Sequence, residues 1–422
     1  MNPSRQQERE LDLRPHVLAS PAYRERCSIL FDLFRLSRDI DRNPKDILAL
    51  QAALAELLMQ FQEKKAEFRQ EGSDLGVAVV NRLILMLRKI ADSLVWRVLG
   101  YDRVLVQLLS EHSKTGNLDD TVFGDFAMAQ GIAEHEHSIV LINDLTTILR
   151  HGDLTVVGKN GKSLMETKYG RASRRSRRAT RQRNRLNQLL SFWNTGVRIT
   201  RHRRDFILKA DVPVRTHHSA LAMAVAGARS KGYHRDDTTE VVAIEALCTK
   251  NQRGHFPEER PFGGVEHVGR FSSLDGFDIP TTRIAPYGIF PLDDQSCWDL
   301  VTGDMFVVAS VNFDALQQLY ARFGLGLDLP DPSQQEIAWY LSAPIADRMK
   351  RGHPFRFLIR DDDYHASPTP DLFARIGLEF IHEETVVQAD PQLLSLVREL
   401  DIADEKRTRF YIGYRDESSV WA

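Results

Sequence analysis

Asp153 opens one β-prone run, Asp153 to Val157, and Glu166 and Lys168 stand two apart on the next, Ser163 to Lys168. Side chains two apart on a strand share a face. Two carboxylates and one ammonium from adjacent strands therefore converge on one spot. Carboxylate oxygens suit a hard cation such as Mg2+, which keeps several waters besides. A cation held this way activates a water and neutralises charge on a phosphoryl group. The neighbouring lysine would orient that water or stabilise the developing charge.

Three elements must position these groups. Between the two runs, Asn160-Gly161 is a strong short-range hairpin signal. Ahead of them, His137 to Arg150 keeps helical spacing, with Ile139, Ile142, Leu145 and Leu149 on one face, and His151-Gly152 is expected to end that helix. Behind them, a helix is expected from about Arg171 to Trp193. Its Ala172, Ala179, Leu186 and Trp193 recur every seven residues, an apolar stripe on an arginine-covered rod that Trp193 is expected to bury.

Charge points to a polyanionic partner. The chain balances 56 basic against 58 acidic residues, yet Lys168 to Arg204 holds thirteen Lys or Arg and no Asp or Glu. Arg171, Arg174, Arg175, Arg178, Arg181 and Arg185 fall at spacings of three and four and form ridges on the helix. Arg198, Arg201, Arg203 and Arg204 extend the block. Each phosphate neutralised by such a surface releases counterions, which supplies sequence-independent affinity that falls steeply with salt. Phe192 and Trp193 interrupt the block and could stack a base.

The runs GDLTVV and METK, with twelve residues between Asp153 and Glu166, resemble the PD-(D/E)XK nuclease superfamily, over about residues 130–200. Gly152 stands where the family name has proline. The resemblance implies a restriction-endonuclease-like core and hydrolysis of phosphodiester bonds in DNA, RNA not being excluded. It implies Mg2+ or Mn2+ on Asp153, Glu166 and the Thr167 carbonyl, with Lys168 catalytic. It also implies a further acid on the preceding helix, for which Glu136, Glu134 and Asp144 are candidates and Glu136 is preferred. Gln182, which shares a face with Ala179 and Leu186, matches the polar residue many members carry after E-x-K. By analogy, restriction, repair or phage defence is the expected setting. The alternative is a nucleic-acid-binding adaptor whose nuclease-like fold is catalytically silent. A third is an interaction protein whose basic helix docks an acidic partner.

The rest of the chain frames this core. Two long helical patterns, one from Asp46 to Phe68 and one from Val79 to His112, predict a helical region. Asn43-Pro44 is its start signal, and Glu71 to Asp74 a break. Beyond Arg204 an alanine-rich helix from Ser219 to Lys231, a strand from Val241 to Leu247, a helix from Phe313 to Phe323 and the strand-like FRFLIR and RFYIGY alternate. A shorter helical run is expected at Asp371–Ile376. The expected class is α+β, with a helical domain at 1–118, the nuclease-like domain at 119–250 and an α+β accessory domain at 251–422. A second copy or a partner protein would use the helical N-terminal region.

Several other signals are weaker. Gly158 to Ser163 looks like the end of a phosphate-binding loop, but Val156 stands where the motif needs glycine, and Ser163 begins a strand. Glu134 to His137 reads as a surface helix start, Asp361 to Asp363 as an acidic turn. His217 and His218 read as an N-terminal helix turn with one ring packed. Three distant cysteines exclude a disulfide framework, and no apolar run reaches the roughly 18–20 residues of a membrane span. No secretory signal is read at the start, so a cytoplasmic location is expected.

Overall fold

The computed structural model describes residues 16–110, 118–149, 151–159, 161–167, 177–199, 203–249, 262, 268–272, 287–329, 358–360, 365–366, 375–399 and 407–415. The chain forms two compact units, Met1–Thr195 and Gly196–Ala422. The boundary expected near residue 118 lies inside the first of them, and the fold class is α+β.

In the first unit, α1 (Pro21–Asp39), α2 (Pro44–Gln70) and α3 (Asp74–Val98) are amphipathic helices. Asn43 caps α2 by accepting from the Lys45 N–H at 3.0 Å, and Ser73 caps α3 by accepting from Gly76 at 3.2 Å. Ile47, Leu50, Leu54, Leu58 and Phe61 form the buried stripe of α2. The second long helical pattern is not one helix: Gly100 and Tyr101 take φ of 72° and 59°, so α3 stops and α4 (Arg103–Leu109) restarts on an Asp102 cap. Arg42 satisfies the carbonyls freed at that stop, donating to Arg97 and Val98 at 2.9 Å each.

After α5 (Val122–Glu136) the helix expected over 137–150 is replaced by a strand, β1 (Ile139–Ile142), and a single 3-10 turn at Asn143–Leu145. Two causes act together. His137 takes the left-handed conformation (φ 51°), which ends α5, and the run Ile-Val-Leu-Ile, three of its four residues β-branched, then extends. Glu134 to His137 is thus a helix end and not a start. Antiparallel partners follow, β2 (Leu154–Gly158) and β3 (Gly161–Met165), giving the order β1-β2-β3. The expected hairpin is present, with Gly158 opposite Gly161 and Leu154 opposite Met165. Gln51 ties the helices to this sheet: its buried amide donates to Val140 O at 2.8 Å and accepts from the Ile142 N–H at 2.7 Å.

The basic helix α6 (Arg177–Thr195) closes the unit. Its buried anchors are Leu189 and Phe192, whereas Trp193, the expected end of the stripe, is half-buried with Lys162 Nζ 4.8 Å from its ring centroid. Phe192 and Leu189 are three apart and share the inward face, which turns Trp193 toward the rim.

The second unit holds a four-stranded antiparallel sheet ordered β6-β7-β9-β8, made of Tyr233–Asp236, Val242–Cys248, Met305–Asn312 and Val268–Ser272. Every residue of β9 is buried, as its near-continuous apolar run Met-Phe-Val-Val-Ala-Ser-Val requires. The helix α7 (His218–Lys231) buries Leu221, Ala224, Val225 and Ala228. β5 (Arg203–Ala210) pairs in parallel with β13 (Arg407–Tyr414) and antiparallel with β4 (Val197–Ile199). α8 (Asp294–Thr302), α9 (Phe313–Arg322) and α10 (Glu383–Glu399) complete the described helices used below. The remaining described strands, β10 (Gly326–Asp328), β11 (Leu358–Arg360) and β12 (His365–Ala366), form a small antiparallel sheet. Among the described residues, no helix is long and apolar enough to cross a membrane.

Candidate metal centre at the hairpin

The loop between β1 and β2 delivers Asp153, and α3 holds that loop. Asp92, fully buried on α3, accepts from the Thr147 N–H at 2.7 Å and from the Thr147 hydroxyl. Arg88, one turn earlier, donates to Asp144 O at 3.3 Å and Thr146 O at 3.4 Å. Asn143 closes the loop on itself: its amide donates to His151 O (2.9 Å) and Gly152 O (3.1 Å), and its carbonyl accepts from Thr155 Oγ1 (2.8 Å). The backbone of Asp153 is then pinned on both sides, its N–H donating to Met165 O at 2.8 Å and its carbonyl accepting from the Asn143 N–H at 2.9 Å.

Gly152 has a structural reason to differ from proline. Its φ is +73°, and an added Cβ would stand 2.6 Å from Met165 O. Proline is locked near −65° and cannot take that conformation.

Asp153 Oδ2 accepts from the Thr167 N–H at 2.6 Å and from Thr167 Oγ1 at 2.9 Å. The same Thr167 hydroxyl also contacts Asp125 Oδ1, from the first turn of α5. A threonine hydroxyl carries one hydrogen. Two carboxylates that share it are in like-charge contact unless a proton or a cation lies between them. The Asp153 carboxyl responds accordingly. Burial pushes it above its ordinary value, the Thr167 hydrogen bonds pull it back, and the charges of Asp125 and Glu166 add to the upward push.

Asp125, Asp153 and Glu166 thus come from a helix, the start of β2 and the end of β3. Asp125 is 3% exposed, while Asp153 and Glu166 are half-buried. An all-oxygen donor set from three elements suits Mg2+ or Mn2+ in preference to softer metals. The three acids do not bring ligand atoms within 4.8 Å of one another; among the described residues only His217, His382 and Glu383 of the second unit do.

The acid of α5 that reaches Asp153 through Thr167 is Asp125, whereas Glu136 is not brought to the hairpin. Glu136 is exposed at the opposite end of α5, eleven residues or about 16 Å further along the axis. Glu134 is exposed and accepts from Gln130 at 3.0 Å, and Asp144 is exposed in the 3-10 turn. Asp125 carried a signal: Val122, Asp125, Ala129 and Ala133 are the buried positions of α5, so an acid stands in an otherwise apolar stripe. Thr167 reaches the site with its hydroxyl and its N–H. Lys168, Arg171, Arg174 and Arg175 lie outside the described residues. Arg178, Arg181, Gln182 and Arg185 fall on α6 with side chains outside the described set.

Part of the basic block is committed within the fold. Arg198 on β4 pairs with fully buried Asp205 on β5, Nε to Oδ2 at 2.6 Å. Lys162, next to the turn, donates to Leu99 O at 3.3 Å. Asp361 to Asp363 lie outside the described residues.

No family model, no curated protein and no solved structure matches the chain.

Proposed function

We propose that the chain is a metal-dependent nuclease acting on DNA, with Asp125, Asp153 and Glu166 as the acids that hold Mg2+ or Mn2+. The observation that carries this reading is the Thr167 hydroxyl held between the carboxylates of Asp125 and Asp153, beside Glu166, at the exit of a hairpin followed by an arginine-rich helix. Such a set of acids is costly to build without a cation. When bound, the cation would acidify a water and neutralise charge on the phosphoryl group.

The chain's own residues supply the rest. Thr167 orients Asp153 by donating its N–H and hydroxyl to Oδ2. Asp92, Arg88 and Asn143 fix the loop, so the start of β2 cannot drift from the end of β3. Lys168 is assigned to orient the attacking water or to steady charge on the phosphoryl oxygens. Arg171, Arg174, Arg175, Arg178, Arg181 and Arg185 are assigned to the phosphate backbone, where they position the strand without reading its sequence.

The test is cleavage of plasmid, linear duplex, single-stranded DNA and RNA with Mg2+ or Mn2+, and again with EDTA. Glu166→Ala and Lys168→Ala proteins run alongside. The proposal expects metal-dependent cutting of DNA that both substitutions abolish. Salt-sensitive binding with no cutting under any metal would overturn it in favour of a silent adaptor.

A further inference from the structure

In the second unit, the segment before α7 and the segment before α10 are stapled together. Thr216 and Ile381 form a β-bridge. The His217 N–H donates to Phe380 O at 2.7 Å, and the His382 N–H donates to Arg215 O at 2.8 Å. The Arg215 N–H donates to Thr385 Oγ1 at 3.0 Å, and that hydroxyl donates to Pro213 O at 3.2 Å. Phe380 is held at φ 55°, a conformation rarely taken by a bulky residue, so the crossing is built to one geometry.

This staple brings three ligand-type side chains together. His217 Nε2 lies 2.7 Å from Glu383 Oε2, and His382 Nδ1 lies 3.8 Å from the same oxygen. The two imidazoles stack with centroids 4.6 Å apart and planes 29° apart. His217 and Glu383 are buried, and the His382 side chain keeps 14% exposure, which opens the cluster to solvent on one side. Ligands about 2.0–2.1 Å from a tetrahedral zinc stand roughly 3.3–3.5 Å from one another. The observed separations of 2.7 and 3.8 Å bracket that spacing. His382 Nδ1 accepts from the Glu384 N–H at 3.2 Å, so its lone pair is engaged by that amide, and a metal bound here would have to displace the amide hydrogen from it.

We infer that His217, His382 and Glu383 form a site for one Zn2+-class divalent cation, with a coordination position open toward solvent on the His382 side. Two imidazoles and one carboxylate select such borderline metals over Mg2+. The site therefore differs in chemistry from the carboxylates at the hairpin, and it does not depend on the nuclease reading. Three protein ligands leave a position for water or for a ligand atom. Bound metal would also lock the starts of α7 and α10 to each other.

The test uses the full, untagged chain, stripped with a chelator and titrated with Zn2+ and with Co2+. With excess Mg2+ present to occupy the carboxylates at the hairpin, the expected result is one equivalent bound, visible Co2+ bands of a tetrahedral or five-coordinate site, and a raised Tm. His382→Ala and Glu383→Gln should each weaken Zn2+ by more than about 100-fold, the upper end for losing a group that merely supports a ligand. Glu166→Ala should leave this binding unchanged. On the unaltered chain, one equivalent of Zn2+ should protect His382 from diethyl pyrocarbonate, read by peptide mass, so the decision does not hang on variants that fail to fold. No stoichiometric binding, binding unchanged in His382→Ala and Glu383→Gln, or modification of His382 unaffected by Zn2+ would overturn the inference.

Discussion

Asp125→Asn should reverse sign with metal. The Thr167 hydroxyl touches both Asp125 Oδ1 and Asp153 Oδ2. Two hydrogen bonds of ordinary length across one oxygen put the carboxylate oxygens roughly 4–5 Å apart. At an effective dielectric constant of about 20, two unit charges at that separation repel by about 3–4 kcal/mol, and residual solvent lowers this to about 1–3 kcal/mol. Asparagine keeps an acceptor for Thr167 and removes the charge. The metal-free variant should therefore be more stable than the parent by up to that amount above the ordinary carboxylate range, where Asp153 is forced to ionise. Metal inverts the order. At 100 times its Kd, a cation bound only by the folded state stabilises by about 2.7 kcal/mol. For a unit of this size that is about 5–10 °C in Tm. If the substitution weakens the metal 10- to 100-fold, the gain falls to about 0.4–1.4 kcal/mol. The assay is thermal melting with Mn2+ and with EDTA, at pH 7.5, on both proteins. Destabilisation of the metal-free variant by more than about 1 kcal/mol, or a Mn2+ shift equal to the parent's, would refute the reasoning.

Gly152→Ala forces a left-handed alanine against Met165 O and should cost about 2–3 kcal/mol in urea unfolding. It should also reduce the Mn2+ shift, because Asp153 is the next residue. Gln51→Ala removes two buried hydrogen bonds to β1 and should cost about 2–4 kcal/mol, while Gln60→Ala, exposed on the same helix, should stay within about 0.5 kcal/mol. Asp390, fully buried against the Tyr320 hydroxyl, has its carboxyl pushed up to about 7 by burial, with the Tyr320 hydrogen bond opposing. A pKa raised on folding gives stability that is complete below about 3.8 and is lost as pH climbs through about 7. Between pH 5 and 8 the parent should lose about 2–3 kcal/mol that Asp390→Asn, permanently neutral, retains; equal slopes in chemical denaturation against pH would contradict this.

Local chemistry was legible in the sequence and distant contacts were not. Asn43-Pro44, the Gly72-Ser73 break and the hairpin that pairs Gly158 with Gly161 all depend on a few neighbouring residues, and each is where its residue types place it. All four residues of β1 are buried, so it shows no alternation, and Ile139 and Ile142 fit a helical spacing as well as a strand. Nothing short of the backbone reveals that His137 turns left-handed. Asp125 meets Thr167 across 42 residues, Gln51 meets Val140 across 89, and His217 meets Glu383 across 166. Those pairings belong to packing, which periodicity does not encode. The one residue of the three with a readable mark is Asp125, an acid in an apolar stripe. For His217 and His218, both rings are packed where one was expected.

The most direct measurement is the rate of metal-dependent DNA cleavage by Asp125→Asn and by Glu136→Gln, beside the parent, at saturating Mn2+. Asp125→Asn should lose at least about 100-fold, the scale of losing an aligned charged group at a reacting centre. Glu136→Gln should cut at the parental rate. Full activity in Asp125→Asn, or no cutting by the parent with any metal and nucleic acid, would contradict this reading.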